Sequence, residues 1–392
     1  NGDGAVRICG FGSSRSEGVR CGMVVDISAA VRSIRAALDE AEQTSGRRID
    51  SVCTACEDRR LRFLNHTGAT PVRGAEIVQA DVDAAVANAK EIDLKPGEKV
   101  LKILIQEFGI DGEGGILRPQ GMMANRLEAS VHVVCGQPAM ATNLLRSVRR
   151  SGVEVMHWGI PAWASADAVL TESERELGVC VVDLGAGTMD IAAYFRGSVR
   201  CTSVIPVGGG FVTKDIAAIY RLDEKTAEEV KLRYGSADPS RFTAADVVDL
   251  SEMLHADMPI GKVQVIAQEE LAEVIEARLR EILRIARKVL STTGIADRIP
   301  AGVVFTGGVS QTDGFLKLAE EELGQRCRIG APDAGQTVGG MGSSPAWASA
   351  VGLLKDAARE AGQRRRAAEE HKLIRVRGGF WDAVKHWFIG NY

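Results

Sequence analysis

A short apolar segment that ends at an aspartate and enters a glycine-rich turn constrains the fold of this chain more than any other feature. Val179–Leu184 is an almost continuous apolar run, which predicts a buried strand. Met189–Phe195 follows the turn as a second strand, so the two segments together predict a strand–loop–strand hairpin.

The turn of this hairpin has the composition of a phosphate-binding loop. Gly185 and Gly187 leave room for backbone N–H groups to approach phosphate oxygens, and Thr188 adds a hydroxyl donor. Asp183 ends the first strand, where its carboxylate could hold a water molecule bound to Mg²⁺. An ordinary hairpin turn is the alternative interpretation of the same residues.

Composition places the hairpin in a globular α/β protein. The chain has 392 residues, 45% of them apolar and 26% charged, and this length predicts about two to four domains. Strand patterns alternate with helical patterns, which favours α/β architecture. The net charge of −4 gives no basic field for nucleic acid. Eight scattered cysteines indicate a reduced, intracellular protein, and we interpret Cys53 and Cys56 as strand residues rather than half of a metal site.

Two further glycine-rich turns and a charged helix pair follow the hairpin in a specific order. They comprise Gly208, Gly209 and Gly210, then Glu228 and Lys231, and finally Gly307, Gly308 and Ser310. This order resembles the nucleotide cleft of the actin superfamily. A solvated ion pair on one helix face is the alternative for Glu228 and Lys231. Asp190 and Asp215 are interpreted as structural carboxylates and excluded from the ligand set.

Within that superfamily, the sequence is similar to one family, the FtsA cell-division proteins. The similarity is strongest in residues 175–188, 204–216, 271–278, 304–314, 328–332 and 348–354, and looser in residues 106–110, 127–135 and 143–155. It covers nearly the whole chain. It implies an α/β, actin-like (ribonuclease H-like) two-lobed fold with the 1C subdomain of FtsA.

The resemblance also implies a set of subdomain boundaries. Subdomain 1A would comprise residues 1–56 and 154–178, and subdomain 1C residues 57–153. Subdomain 2A would comprise residues 179–216 and 296–358, and subdomain 2B residues 217–295. Residues 359–378 would form a charged linker and residues 379–392 an amphipathic membrane-targeting helix. Within 1A and 1C, residues 5–12 are expected to form a strand, and Asp26 and Asp81 to cap helices.

The cofactors implied by the resemblance are ATP or ADP and Mg²⁺. Asp183, Gly185, Gly187 and Thr188 would cradle the β- and γ-phosphates, with Asp183 holding Mg²⁺ through water. Gly208, Gly209 and Gly210 would border the phosphates, and Glu228 and Lys231 would contact ribose and adenine. Gly307, Gly308 and Ser310 would close over the adenosine. Any ATPase activity would be weak, and no catalytic base is assigned: Asp167 could position water, but a surface helix residue is the simpler interpretation.

Two departures from the family pattern stand out. The family begins with a first phosphate hairpin, and no such motif precedes Ala5. The chain either lacks its natural start or has lost half of its phosphate cradle, which would weaken ATP binding. In addition, the acidic and basic residues 57–60 occupy a position where the family has a turn of small residues, at the entry into subdomain 1C.

An apolar stripe marks the C-terminal residues. Phe380, Trp381, Val384, Trp387 and Phe388 recur at helical spacing, which suits a helix lying in the bilayer interface. Basic residues upstream could attract anionic lipid. The alternative is a terminal helix docked on the protein's own core or on a partner. FtsA proteins end in an amphipathic membrane anchor, so the resemblance favours the membrane.

Three functions are compared. The first is an ATP-binding scaffold that anchors FtsZ filaments to the cytoplasmic face of the inner membrane at the division septum, polymerises with itself and recruits other division proteins through subdomain 1C. By resemblance, the C-terminal tail of FtsZ would contact Arg278. The alternatives are a small-molecule kinase or phosphatase of the superfamily, and a pilus-assembly actin homologue. The C-terminal tail favours the first.

Overall fold

The computed structural model describes residues 7–251, 253, 265–333 and 342–377, with side chains as far as residue 362 apart from that of Met140. The first elements are β1 (Val19–Arg20), β2 (Met23–Val24), α1 (Ile27–Ser45) and β3 (Ser51–Ala55). Asp26 caps α1 as predicted, because its carboxylate accepts hydrogen bonds from the amides of Ser28 and Ala29.

The strand expected for residues 5–12 is not formed by residues 7–12, which cross α1 instead. A Cβ on Gly12 would lie 2.0 Å from the carbonyl oxygen of Ala37, so only glycine allows this close packing. The amide of Phe11 donates to Oγ1 of Thr44 at 3.0 Å. Among residues 7–12, Ile8 makes an isolated β-bridge, whereas residues 10–12 pack on α1 rather than pairing with a strand.

An antiparallel sheet and one helix form the next unit. Its elements are β4 (Arg62–Pro71), α2 (Gln79–Ala89), β5 (Lys99–Ile110), β6 (Glu113–Ile116) and β7 (Arg126–Gly136). The strand order is β4-β7-β5-β6. The N-cap of α2 is Val78, and Asp81 lies three residues further in, where its carboxylate accepts from the Val78 amide at 3.0 Å. The predicted cap position was therefore wrong by three residues.

The chain then returns to the first unit. The elements are α3 (Pro138–Arg150), β8 (Glu154–Gly159), α4 (Pro161–Val169) and α5 (Glu172–Leu177). β8 pairs with β3 in parallel. Cys53 lies on β3 as predicted, whereas Cys56 is buried just beyond the end of the strand rather than on it.

The second half contains the main sheet. Its elements are β9 (Val179–Leu184), β10 (Met189–Phe195), β11 (Ser198–Ile205), α6 (Gly209–Tyr220), α7 (Glu224–Tyr234), β12 (Val247–Asp249), β13 (Val265–Ala267), α8 (Gln268–Thr292), β14 (Val303–Thr306), α9 (Phe315–Leu323), β15 (Cys327–Ile329) and α10 (Ala348–Arg377). The boundaries of β9 and β10 are those predicted from the sequence.

The topology of this sheet determines where the functional turns meet. The order is β11-β10-β9-β14-β15, with β9, β10 and β11 antiparallel and β14 parallel to β9. Asp183 at the end of β9 is in register with Thr306 at the end of β14. The glycine-rich turns that follow these two parallel strands therefore lie side by side, where open α/β sheets commonly bind ligands.

Helix α10 packs on α4 and continues beyond it. A Cβ on Gly352 would lie 1.7 Å from the carbonyl oxygen of Ala164, so the two helix backbones cross in direct contact. The backbone of α10 stays helical through Arg377, across most of the predicted linker. Among the residues that the structure describes, none of the helices is both long and apolar enough to span a bilayer.

Candidate functional site

The turn between β9 and β10 presents backbone donors to a cavity. The amide of Gly185 donates to the carbonyl oxygen of Thr188 at 3.0 Å, which closes the turn. Within the described part of the chain, the amides of Ala186 and Gly187 have no backbone or side-chain acceptor. Free N–H groups at a glycine-rich turn are the donors that phosphate oxygens accept from.

Asp183 is held from two sides at the end of β9. Oγ of Ser165, a fully buried residue on α4, donates a hydrogen bond to Oδ2 of Asp183. A Cβ on Gly307 would lie 2.4 Å from Oδ1 of Asp183, and Gly307 has a φ of 84°, so the position requires glycine. Burial raises the pKa of Asp183, and the hydrogen bond from Ser165 opposes that rise.

The second glycine turn supports the first one rather than offering donors of its own. The amides of Gly209 and Gly210 donate to the carbonyl oxygens of Gly185 and Ala186 at 3.0 and 2.8 Å. A Cβ on Gly208 would lie 2.3 Å from the Gly185 oxygen. These three glycines therefore border the predicted phosphate loop, while two of their amides are already used within the protein.

Glu228 and Lys231 form a polar cluster at the entrance of a second cavity. Nζ of Lys231 lies 2.7 Å from Oε2 of Glu228 and donates to Oγ1 of Thr213 at 2.9 Å. It also donates to the carbonyl oxygen of Gly209 at 3.3 Å. Glu228 and Lys231 are thus anchored to the first turn of α6 as well as to each other, unlike a freely solvated pair.

Two adjoining cavities contain most of the predicted ligand residues. The first, of about 650 Å³, is lined by Asp183, Gly185, Gly187, Thr188, Gly307 and Gly308 among others. The second, of about 420 Å³, is lined by Gly209, Glu228, Lys231 and Gly308 among others. Ala186, Gly308 and Ala346 line both. The combined space has two ends. One is lined by the glycine turns and suits phosphate groups, and the other is more enclosed and lies between α7, α8 and the turn after β14.

Ser310 does not line either cavity. Its side chain is buried, and its hydroxyl donates to the carbonyl oxygen of Gly307 at 2.8 Å. This bond stabilises the turn that carries Gly307 and Gly308. Ser310 therefore supports the cavity wall without facing the cavity.

Two carboxylates that the sequence analysis did not assign to the site also line the first cavity. Glu57 follows β3, and Asp190 lies on β10 directly across from Asp183. Burial raises the pKa of both groups, and the proximity of Glu57 raises that of Asp190 further. Oδ1 of Asp190 is buried without a hydrogen-bond partner among the described residues. The sequence feature that could have indicated a role for Glu57 is an acidic residue where the family has a turn of small residues.

A short hairpin closes the first cavity from the other side. The turn between β1 and β2 contains Cys21 and Gly22, with φ values of 45° and 74°. Both residues line the cavity, and a Cβ on Gly187 would lie 3.5 Å from Cα of Cys21. A Cβ on Gly22 would collide with the carbonyl oxygen of Glu57 at 1.4 Å. Backbone from both halves of the chain therefore surrounds the cavity.

Arg278, the expected FtsZ contact, and Asp167, the residue considered for positioning water, lie outside both cavities. Nε of Arg278 on α8 lies 2.5 Å from Oδ2 of Asp215, and Nη2 lies 3.0 Å from Oδ1. Arg278 also pairs with Glu281. Asp167 pairs with Arg175 and Arg359. The membrane stripe, Phe380, Trp381, Val384, Trp387 and Phe388, lies outside the described residues.

Comparison with known proteins identifies the family. The family model described as cell division protein FtsA matches residues 180–352, and that of the SHS2 domain inserted in FtsA matches residues 59–135. The chain is 38% identical over 352 residues to cell division protein FtsA of Pseudomonas aeruginosa, covering 90% of this chain and 83% of that protein. It belongs to the FtsA family. FtsA of Neisseria meningitidis is 34% identical over 398 residues, 100% of this chain and 94% of that protein.

The fold agrees with this assignment. The PilM–PilN type IV pilus biogenesis complex superposes with a TM-score of 0.59 at 18% identity, over 87% of this chain and 88% of that one. At this identity the likeness shows the fold alone. The actin-like fold that the sequence predicts is confirmed, and FtsA membership favours the division scaffold over the two alternatives.

Proposed function

We propose that this FtsA-family protein is a nucleotide-dependent scaffold of the division machinery. It binds ATP or ADP with Mg²⁺ in the two adjoining cavities. In this state it anchors FtsZ to the cytoplasmic face of the inner membrane, assembles with copies of itself and recruits division proteins through subdomain 1C.

The observation that carries the nucleotide assignment is the meeting of two glycine turns at one carboxylate. Gly187 and the neighbouring Ala186 supply amides that have no acceptor among the described residues, and Gly307 brings backbone against Asp183 where any side chain would collide. The second cavity continues directly from the first, which gives room for a nucleoside beyond the phosphates. Glu228 and Lys231 supply polar groups at that end.

The donor set also fits a divalent cation next to the phosphates. Four acidic side chains line the first cavity, Glu57, Asp183, Asp190 and Glu224, against two basic ones, Arg20 and Lys214. A polyphosphate alone would be repelled by this lining, whereas carboxylates and phosphates are the oxygen ligands that Mg²⁺ takes. Asp183 would hold the cation through water, and the cation would offset the phosphate charge.

Substitution of Asp183 by Asn tests the nucleotide site. We expect Asp183→Asn to weaken Mg²⁺-dependent ADP binding at least about tenfold, because one charged oxygen toward the cation is lost. Isothermal titration with ADP, with Mg²⁺ or with EDTA, measures the difference. Asp249→Asn is the matched control, since this exposed carboxylate caps a turn after β12 and lines neither cavity. Equal Mg²⁺-dependent affinity in wild type and Asp183→Asn would refute the assignment.

The proposed binding of FtsZ and attachment to the membrane are supported by family membership and by the sequence. Arg278 lies on the surface of α8, but its guanidinium is already paired with Asp215 and Glu281. An acidic peptide that binds there must compete with these two carboxylates. Such an exchange costs little for partly exposed ion pairs and would make the contact sensitive to salt.

A further inference from the structure

One helix touches both the phosphate end of the cleft and the start of the C-terminal helix. Ser165 of α4 donates to Asp183, and the next residue back, Ala164, faces Gly352 of α10 through its carbonyl oxygen. We propose that α4 couples occupancy of the cleft to the docking of α10, so that a bound nucleotide fastens α10 against the body of the protein. This inference rests on the nucleotide site proposed above.

The contact between α4 and α10 is a direct crossing of backbones. A Cβ on Gly352 would lie 1.7 Å from the Ala164 oxygen and 2.3 Å from the Ala164 carbonyl carbon. No layer of flexible side chains separates the helices at this point. Because close-packed interiors transmit displacements rather than absorb them, a shift of α4 must move or loosen α10.

Polar contacts extend the same interface along α10. Arg359 pairs with Asp167 of α4. On β8, which leads directly into α4, the ring nitrogens of His157 lie 2.9 Å from Oδ2 of Asp356 and 2.7 Å from Oε2 of Glu360. The β8–α4 unit therefore holds the first four turns of α10 by one backbone crossing, one ion pair and the contacts of one histidine with two carboxylates.

A buried hydrogen bond links Asp183 at the cleft to α4, and Pro161 of α4 and Ser349 of α10 also line the first cavity. Ser165 is fully buried, and the one partner found for its hydroxyl among the described residues is Asp183. A cation or phosphate that fixes the Asp183 carboxylate also fixes the acceptor of Ser165. Ordering one end of this bond restricts the motion of α4, and the restriction passes to α10 through the crossing.

Hydrogen–deuterium exchange of the full chain, with and without ADP and Mg²⁺, tests the proposal. We expect nucleotide to slow exchange of α10 amides around residues 351–360 at least about fivefold, the lower end of typical coupling factors. In Ser165→Ala the effect on α10 should fall below about twofold while residues 185–188 remain protected. Ser147→Ala is the matched control: Ser147 is equally buried, on α3, and donates to the carbonyl oxygen of Asn143.

Coupling is reciprocal, so loosening α10 must weaken nucleotide binding. Gly352→Ala should lower ADP affinity about fivefold or more, whereas Gly362→Ala, on the same helix with no atom within 4 Å of the added Cβ, should leave it unchanged. Circular dichroism checks that both variants fold. If Gly352→Ala does not fold, Arg359→Ala replaces it, because this change leaves the backbone crossing intact and removes the ion pairs of Arg359 to Asp167 of α4 and to Asp356 on α10 itself.

The possible outcomes separate this inference from the proposed function. Protection of residues 185–188 without slower exchange in α10 overturns the coupling and leaves the nucleotide site intact. Slower exchange in α10 that persists in Ser165→Ala also overturns it. If neither region is protected and titration detects no binding, the nucleotide site itself is wrong.

Discussion

Acid should loosen the junction between the inserted sheet and the main sheet, because a histidine is buried there in its neutral form. Nδ1 of His132 on β7 lies 2.6 Å from Oδ1 of Asn65, and Nε2 lies 2.9 Å from Oγ1 of Thr202 on β11. The indole of Trp163 donates to the same Thr202 oxygen at 2.9 Å. The Thr202 hydroxyl can thus donate to Nε2 while Nδ1–H donates to Asn65, which satisfies a neutral ring.

The magnitude follows from the shift in pKa. Burial lowers the pKa of His132 from 6.5 to about 4, so the unfolded chain binds a proton more readily than the folded one. The stability from the neutral ring is fully present above pH 6.5 and is lost progressively as pH falls from 6.5 through 4. The difference between a pKa of 6.5 and one of about 4 corresponds to about 3 kcal/mol in total, of which about 2 kcal/mol is lost by pH 5.

Urea unfolding at pH 8 and pH 5, followed by the fluorescence of tryptophan, measures this loss. His132→Gln should remove about 2 kcal/mol of the difference between the two pH values, although it lowers stability at both. His66→Gln is the control substitution, since His66 lies on the neighbouring strand β4 and is only partly buried. An equal loss of stability in wild type and His132→Gln would refute the argument.

Three further predictions concern the site and its partners. Gly307→Ala should weaken ADP binding at least about tenfold in titration, because the methyl group collides with Asp183 at φ 84° and ψ 170°, a backbone conformation that costs other residues about 1–3 kcal/mol; an unchanged affinity would contradict the site. Arg278→Glu should reduce binding of an acidic FtsZ tail peptide in fluorescence anisotropy, whereas Lys288→Glu, an exposed residue on the same helix, should not. Removal of residues 380–392 should abolish co-sedimentation with anionic vesicles, and retained sedimentation would contradict the anchor.

Local patterns predicted the parts of the site that lie on one continuous segment. The hairpin around Asp183 could be located because a buried strand, a glycine turn and a second strand each leave a strong periodic signal. The position of Gly307 beside it also follows, since parallel neighbouring strands end at the same edge of a sheet. Spacing placed Glu228 and Lys231 on one helix face, and the family resemblance added the expectation that they contact ribose and adenine.

Contacts between distant segments could not be predicted in this way. Nothing in the spacing of Ser165 shows that its hydroxyl reaches Asp183, or that Ala164 touches Gly352, because these contacts arise from helix packing. The apolar pattern predicts a strand that includes Gly10 and Gly12, whereas these glycines allow the chain to approach α1 closely. For Gly209 and Gly210 the sequence could show flexibility, but not that their amides are used by the neighbouring turn.

Glu57 lies where the family pattern has a turn of small residues, and the structure shows the consequence of this difference for the cavity. Glu57 brings a carboxylate into a cavity that already contains Asp183 and Asp190, and the burial of all three raises their pKa values. Each additional negative charge in such a site disfavours a bare polyphosphate more than it disfavours one neutralised by a divalent cation. We therefore expect this cleft to depend on Mg²⁺ more strongly than a cleft with a small residue at 57. Glu57→Ser should then raise affinity for ADP in EDTA more than affinity in Mg²⁺, which separates the charge of residue 57 from the shape of the cavity.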